Sequence, residues 1–87
     1  MSVVLLPPAL HSYTGGLGRV DLPGETLGAI LAALEVRFPG IRFRVIDEQD
    51  RIRPHIRMFV DGADAFDLSH PVSAAGEVRI VCALSGG

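Results

Sequence analysis

Apolar residues recur at Leu27, Ile30, Leu31, Leu34 and Phe38. Steps of three and four place them in one stripe along an α-helix. Thr26 before the stripe fits an N-cap, and Pro39-Gly40 after it is a stop signal. Most of the remaining chain has the pattern of strands. Val3 to Leu6 is a short apolar run halted by Pro7-Pro8, and it reads as a strand buried on both faces. Residues 9–18 end in Thr14-Gly15-Gly16-Leu17-Gly18 and read as a turn-rich loop. Arg19-Val20-Asp21-Leu22 alternates like a strand and is ended by Pro23-Gly24. Ile56 to Val60 is a strand closed by the tight-turn pair Asp61-Gly62, Ala65-Phe66 a brief edge strand, and Glu77 to Ala83 the last strand. Residues 41–46 alternate like a strand too, but so brief a run equally admits a helical turn. The order is β-β-α-β-β-β, an α+β two-layer domain over residues 1–83 followed by a flexible tail at 84–87.

Successive side chains of a strand face opposite sides of the sheet. In the last strand Val78, Ile80 and Cys82 share one face, and Arg79, Val81 and Ala83 the other. In the strand before it, Ile56, Met58 and Val60 oppose Arg57 and Phe59. The richer apolar sets belong under the helix. Phe59 and Val81 are then expected on the uncovered face beside Arg57 and Arg79, joined by either Val3 and Leu5 or Val4 and Leu6. A small apolar patch edged by arginine suggests a docking surface.

Composition narrows the function. At 87 residues, 48% hydrophobic and 21% charged, the chain reads as one globular domain. A net charge of −2 gives no electrostatic footprint for nucleic acid or an anionic membrane. One cysteine excludes a disulfide framework and any four-cysteine metal site. The N-terminal segment lacks a basic n-region, and its apolar run is too short for a signal or a membrane span, so a cytoplasmic location is expected. All eight residues of the Lys+Arg class are arginine, so the chain offers no ε-amine for conjugation.

The chemistry concentrates in the last two residues, Gly86 and Gly87. Glycine has no Cβ, so a Gly-Gly end can thread a narrow cleft and present its carboxylate as a reactant. That carboxylate, with a pKa near ~3.5, is ionised at neutral pH and must be activated before it accepts a nucleophile. The chain has neither a GxxxxGK[ST] loop nor a GxGxxG, so activation is expected from another protein. From Ala83 to Gly87 the extended chain reaches at most ~17 Å, enough to enter a buried site while the sheet face docks outside. Gly87 is the expected reactive residue, Gly86 provides clearance, and Ser85 and Leu84 would line the channel. Other groups read as structural. Cys82 points inward by parity, His11, His55 and His70 lack metal spacing, and Asp47, Glu48 and Asp50 lack the spacing of a calcium loop. Asp67, Ser69 and His70 include triad residue types, but adjacent residues normally diverge.

With tail, helix and strand order in place, the chain resembles the MoaD/ThiS family of ubiquitin-like sulfur carriers. The resemblance rests on Thr26-Leu27-Gly28-Ala29 opening the helix, on Arg37-Phe38-Pro39-Gly40, on Arg53 to Gly62, and on Ser85-Gly86-Gly87. With Thr14-Gly15-Gly16 it is most similar to the CysO type. The resemblance implies a β-grasp fold, with a mixed sheet of four to five strands covered by one main helix. It implies that an E1-like enzyme uses ATP to adenylate Gly87, and that a sulfur donor converts the adenylate to a thiocarboxylate. No bound cofactor or metal is implied. In CysO-type proteins a PLP-dependent cysteine synthase takes the sulfur. In MoaD-type proteins the acceptor is the large subunit of molybdopterin synthase, and the partner-facing apolar residues fall by motif position on Leu5 and Val81. The implied role is that of a protein co-substrate and not an enzyme. The rival reading is a passive ubiquitin-like interaction domain. The chain departs from the family pattern at Ala74-Ala75-Gly76, where the family has Asp-Gly-Asp, and over Phe66 to Val72, which is abbreviated.

Overall fold

The computed structural model describes residues 1–83; the expected tail Leu84–Gly87, and with it the boundary expected after residue 83, lies outside the described residues. Five strands form one sheet in the order β2-β1-β5-β3-β4: β1 (Ser2–Leu5), β2 (Arg19–Leu22), β3 (Ile56–Val60), β4 (Ala63–Ala65) and β5 (Glu77–Cys82). The central pair β1 and β5 is parallel, with Leu5 opposite Arg79, and the remaining pairs are antiparallel. A parallel pair needs a crossover. Here it carries α1 (Leu27–Arg37) and α2 (Ile41–Val45) over one face of the sheet. This mixed sheet with its main helix is the β-grasp arrangement that the resemblance implies.

The periodicity of α1 is realised as expected. Leu27, Ile30, Leu31 and Leu34 are fully buried, and Phe38 packs at the margin of the core. Each such burial contributes about 1.5–3 kcal/mol. The first four N–H groups of α1 are all satisfied. Ala29 donates to Thr26 Oγ1 at 3.1 Å and Ile30 to the Thr26 carbonyl at 3.0 Å. Leu27 and Gly28 donate to the carbonyls of His70 and Leu68, each at 2.9 Å. The abbreviated segment after β4 thus closes the helix N-terminus.

Residues 41–45 form a helix and not a strand. Ile41 and Val45, four residues apart, are buried with α1, whereas a strand's parity would have aligned Ile41 with Phe43 and Val45. Glu35 of α1 secures the start of α2. Its two carboxylate oxygens accept from the N–H groups of Gly40 at 2.8 Å and Arg42 at 2.9 Å.

Three further expectations are corrected. The loop after β1 begins with a 3-10 helix, Pro8–Tyr13, which Pro at its first turn favours and which buries Leu10. β1 is buried on one face and not two. Val4 is fully buried under the helix, while Val3 and Leu5 stay half-buried on the other face because nothing layers over them. β4 lies at Ala63–Ala65, and Phe66 falls beyond it, strongly exposed. No helix among the described residues is long and apolar enough to cross a membrane.

Candidate functional site

The parity reading holds on all three central strands. Val78 and Ile80 of β5 and Ile56, Met58 and Val60 of β3 are buried toward the helices. Leu5, Phe59 and Val81 are half-buried on the open face, and Arg57 and Arg79 on that face are exposed. Register makes Arg79 the centre of a row, with Leu5 on one side and Phe59 on the other. Val81 stands opposite Arg57 in the next row toward the tail.

These five residues divide into two groups. Leu5, Arg79 and Val81 line a groove of about 310 Å³, together with Pro7, Pro8 and Cys82. The parallel register explains it. β1 and β5 end at the same side of the sheet, and the prolines turn the chain away after β1 and leave β5 uncovered there. The chain therefore leaves the sheet beside this groove. Ala83, the last described residue, donates its N–H to the His55 carbonyl at 2.7 Å.

Phe59 and Arg57 belong to the other side. The Arg57 guanidinium forks onto the Asp64 carboxylate, Nη2 donating to Oδ2 at 2.7 Å and Nε to Oδ1 at 3.3 Å, and lies 5.5 Å from the Phe59 ring centroid. The planar fork suits a carboxylate, although an exposed pair of this kind contributes only about 0–1 kcal/mol. It holds Arg57 along β4, where it lines a smaller hollow of about 170 Å³ with Ile52, Ile56 and Phe66. Sequence reasoning missed Pro7, Pro8 and Asp64 as parts of this face. The two prolines were legible as the end of β1, but only the parallel pairing sets them beside Val81.

Cys82 is half-buried and packs against the core. Ser69 donates its hydroxyl and its N–H to the Asp67 carboxylate, which lowers the Asp67 pKa, the hydroxyl being the larger cause. The Ser69 proton is thus directed at a carboxylate within a local turn and not at an imidazole. His11 Nε2 donates to the Leu6 carbonyl at 3.1 Å. Among the described residues no group of three or more His, Cys, Asp or Glu is placed to hold a metal ion.

No family model matches the chain. CysO sulfur carrier proteins of Mycobacterium bovis and Mycobacterium tuberculosis are 30% identical to it over 97% of this chain and 96% of their own length. Among solved structures, the Amycolatopsis orientalis BexX/CysO complex contains a chain that superposes with a TM-score of 0.92 at 28% identity, covering 100% of both. SAMP1 from Haloferax volcanii superposes with a TM-score of 0.77 at 28% identity, over 99% of this chain and 98% of its own. A whole-length sequence likeness and a shared fold agree: the chain belongs to the CysO family of sulfur carrier proteins.

Proposed function

We propose that this carrier works through the carboxylate of Gly87, which an E1-like enzyme adenylates with ATP and a sulfur donor converts to a thiocarboxylate. In the first step the carboxylate oxygen bonds to the α-phosphorus of ATP and pyrophosphate leaves. In the second, sulfide attacks the acyl carbon and adenylate leaves. The sulfur then passes to an acceptor enzyme, for which a PLP-dependent cysteine synthase is the best-supported class. The chain supplies a reagent and a handle, and its partners supply the catalysis. Gly86 gives the clearance that lets the end thread a cleft. The groove at Leu5 and Val81 docks the body beside that cleft, and Arg79 contributes polar contacts at its edge.

The observation that carries the reading is the whole-length likeness to CysO sulfur carriers. The position of the groove supports it, since the last described residues of β5 form one wall. A second acceptor, the large subunit of molybdopterin synthase, is favoured by one observation: Leu5 and Val81, the positions that match the MoaD docking residues, share that groove.

Intact-mass spectrometry tests the reading. The full chain is incubated with an E1-like enzyme, ATP and sulfide. The expected product is heavier by the exchange of one oxygen for one sulfur, located on Gly87. Deletion of Gly87, or Gly86→Ala, should abolish the gain while leaving the thermal transition in place. An unmodified wild-type chain would refute the proposal and favour a passive interaction domain. Pull-downs scored for the cysteine synthase against the molybdopterin synthase subunit separate the two acceptors.

A further inference from the structure

A second surface flanks the point where the tail leaves the sheet, on the side away from the Leu5 groove. Arg53 to Ile56 form a tight turn with Pro54 at its second position, closed by Ile56 N–H to the Arg53 carbonyl at 2.9 Å. His55 in this turn accepts the N–H of Ala83, so the turn sits against the root of the tail. Arg53 reaches from the turn to α2. Its Nε donates to the Phe43 carbonyl at 2.8 Å, and its guanidinium carbon lies 4.5 Å from the Phe43 ring centroid. Phe43 is nonetheless 57% exposed, and Pro54, His55 and Arg44 around it are exposed as well.

The charge here is unbalanced in a way the whole chain is not. The protein carries a net −2, yet residues 41–57 hold five arginines against three carboxylates. Asp50 pairs with Arg42, Asp47 with Arg51, and Asp64 with Arg57. Arg44 and Arg53 have no carboxylate within ion-pair distance among the described residues. An exposed aromatic ring with a guanidinium already locked over it is suited to an interface. Arginine and aromatic residues are enriched there, and a side chain fixed in advance loses less freedom on binding.

We propose that Phe43, Arg44, Arg53 and His55 form a cationic, aromatic rim that seats against an acidic rim around the tail-receiving cleft of the activating enzyme. This rests on the carrier reading above. The body is then gripped on both sides of the tail, by apolar contact at Leu5 and Val81 and by charge at Arg44 and Arg53. Such charges chiefly raise the rate of encounter, and salt screens them.

The test is steady-state thiocarboxylation of the full chain by the E1-like enzyme with ATP and sulfide, at low and high salt. Arg53→Glu and Arg44→Glu should each raise KM about tenfold at low salt with kcat within about twofold, and high salt should shrink the difference. Phe43→Ser should raise KM at both salt concentrations. Arg53 also tethers α2, so Arg44→Glu and Phe43→Ser, at exposed positions, decide the matter if Arg53→Glu fails to fold. A normally thiocarboxylated wild type whose KM is matched by these two variants within about twofold would overturn the rim and leave the carrier reading intact. A wild type that gains no sulfur would overturn both.

Discussion

The backbone N–H of Ala83 and the carbonyl of His55, 2.7 Å apart, make the last described cross-strand bond of the sheet. It extends the β3–β5 pairing one residue past Cys82 and holds the root of the tail against the Arg53–Ile56 turn. Proline cannot make this bond, because it has no N–H. Ala83→Pro should therefore cost about 0.5–1.5 kcal/mol of stability and speed amide exchange at Val81, the next β5 residue whose N–H faces β3. Hydrogen exchange read residue by residue checks it, and unchanged protection at Val81 would refute it.

Leu5 and Val81 line the groove without belonging to the core cluster. Leu5→Asp and Val81→Asp should leave the fold intact and remove apolar contact with a partner. At a central interface position such a loss weakens binding by about 2 kcal/mol, roughly thirtyfold. Calorimetric titration against the E1-like enzyme is the measurement, with a melting curve as control. Phe59→Ser should weaken binding less, since Phe59 lies on the Arg57–Asp64 side and outside the groove.

Glu35 joins two helices, and its charge matters to that role. The N–H of Gly40, then that of Arg42, hold its carboxyl below the ordinary value of 4.5. A lowered folded value means that the unfolded chain binds the proton more readily. The contribution is complete above about pH 4.5 and is lost as pH falls through the lowered value. Asp47, held down first by the Arg51 N–H, and Asp67 act with the same sign. Glu35→Gln should thus lower the urea midpoint at pH 7 and converge on the wild type under strongly acidic conditions. A deficit that stayed constant with pH would show that the charge is irrelevant.

Gly24 sits at φ 154° where the chain turns into α1. A Cβ there would stand 2.8 Å from Ile30 N and 3.0 Å from the Ala29 carbonyl carbon, both backbone atoms of the helix. Neither can move without shifting α1. Gly24→Ala should cost about 1–3 kcal/mol in overpacking, with backbone strain added. Gly15→Ala is the control: its φ is also positive, at 66°, but no atom lies within 4 Å of the added carbon. It should lose only the strain of about 1–2 kcal/mol. Equal denaturation midpoints for the two variants would refute the close-approach argument.

Much of this molecule is legible in one dimension. The stripe from Leu27 to Phe38, the Thr26 cap, the Asp61-Gly62 turn and the opposed faces of β3 and β5 all follow from side-chain direction and local backbone preference. Those act within a few residues, so sequence order suffices to read them. Residues 41–46 were ambiguous for the complementary reason. Six residues admit either periodicity, and packing of Ile41 and Val45 against α1, with Glu35 as a cap from another helix, selects one. Likewise the choice between Val3 with Leu5 and Val4 with Leu6 depended on which face α1 covers.

The sequence by itself determined the alternation of β2, β3 and β5, the helix and its cap, and the absence of lysine. Only the tertiary structure decided that β1 and β5 run parallel, that Leu5 and Val81 thereby share a groove, and that the His55 carbonyl takes the N–H of Ala83. Periodicity and covalent makeup are properties of neighbours along the chain. Pairing between residues more than seventy positions apart is settled by the collective burial of one core, which no local stretch of sequence encodes.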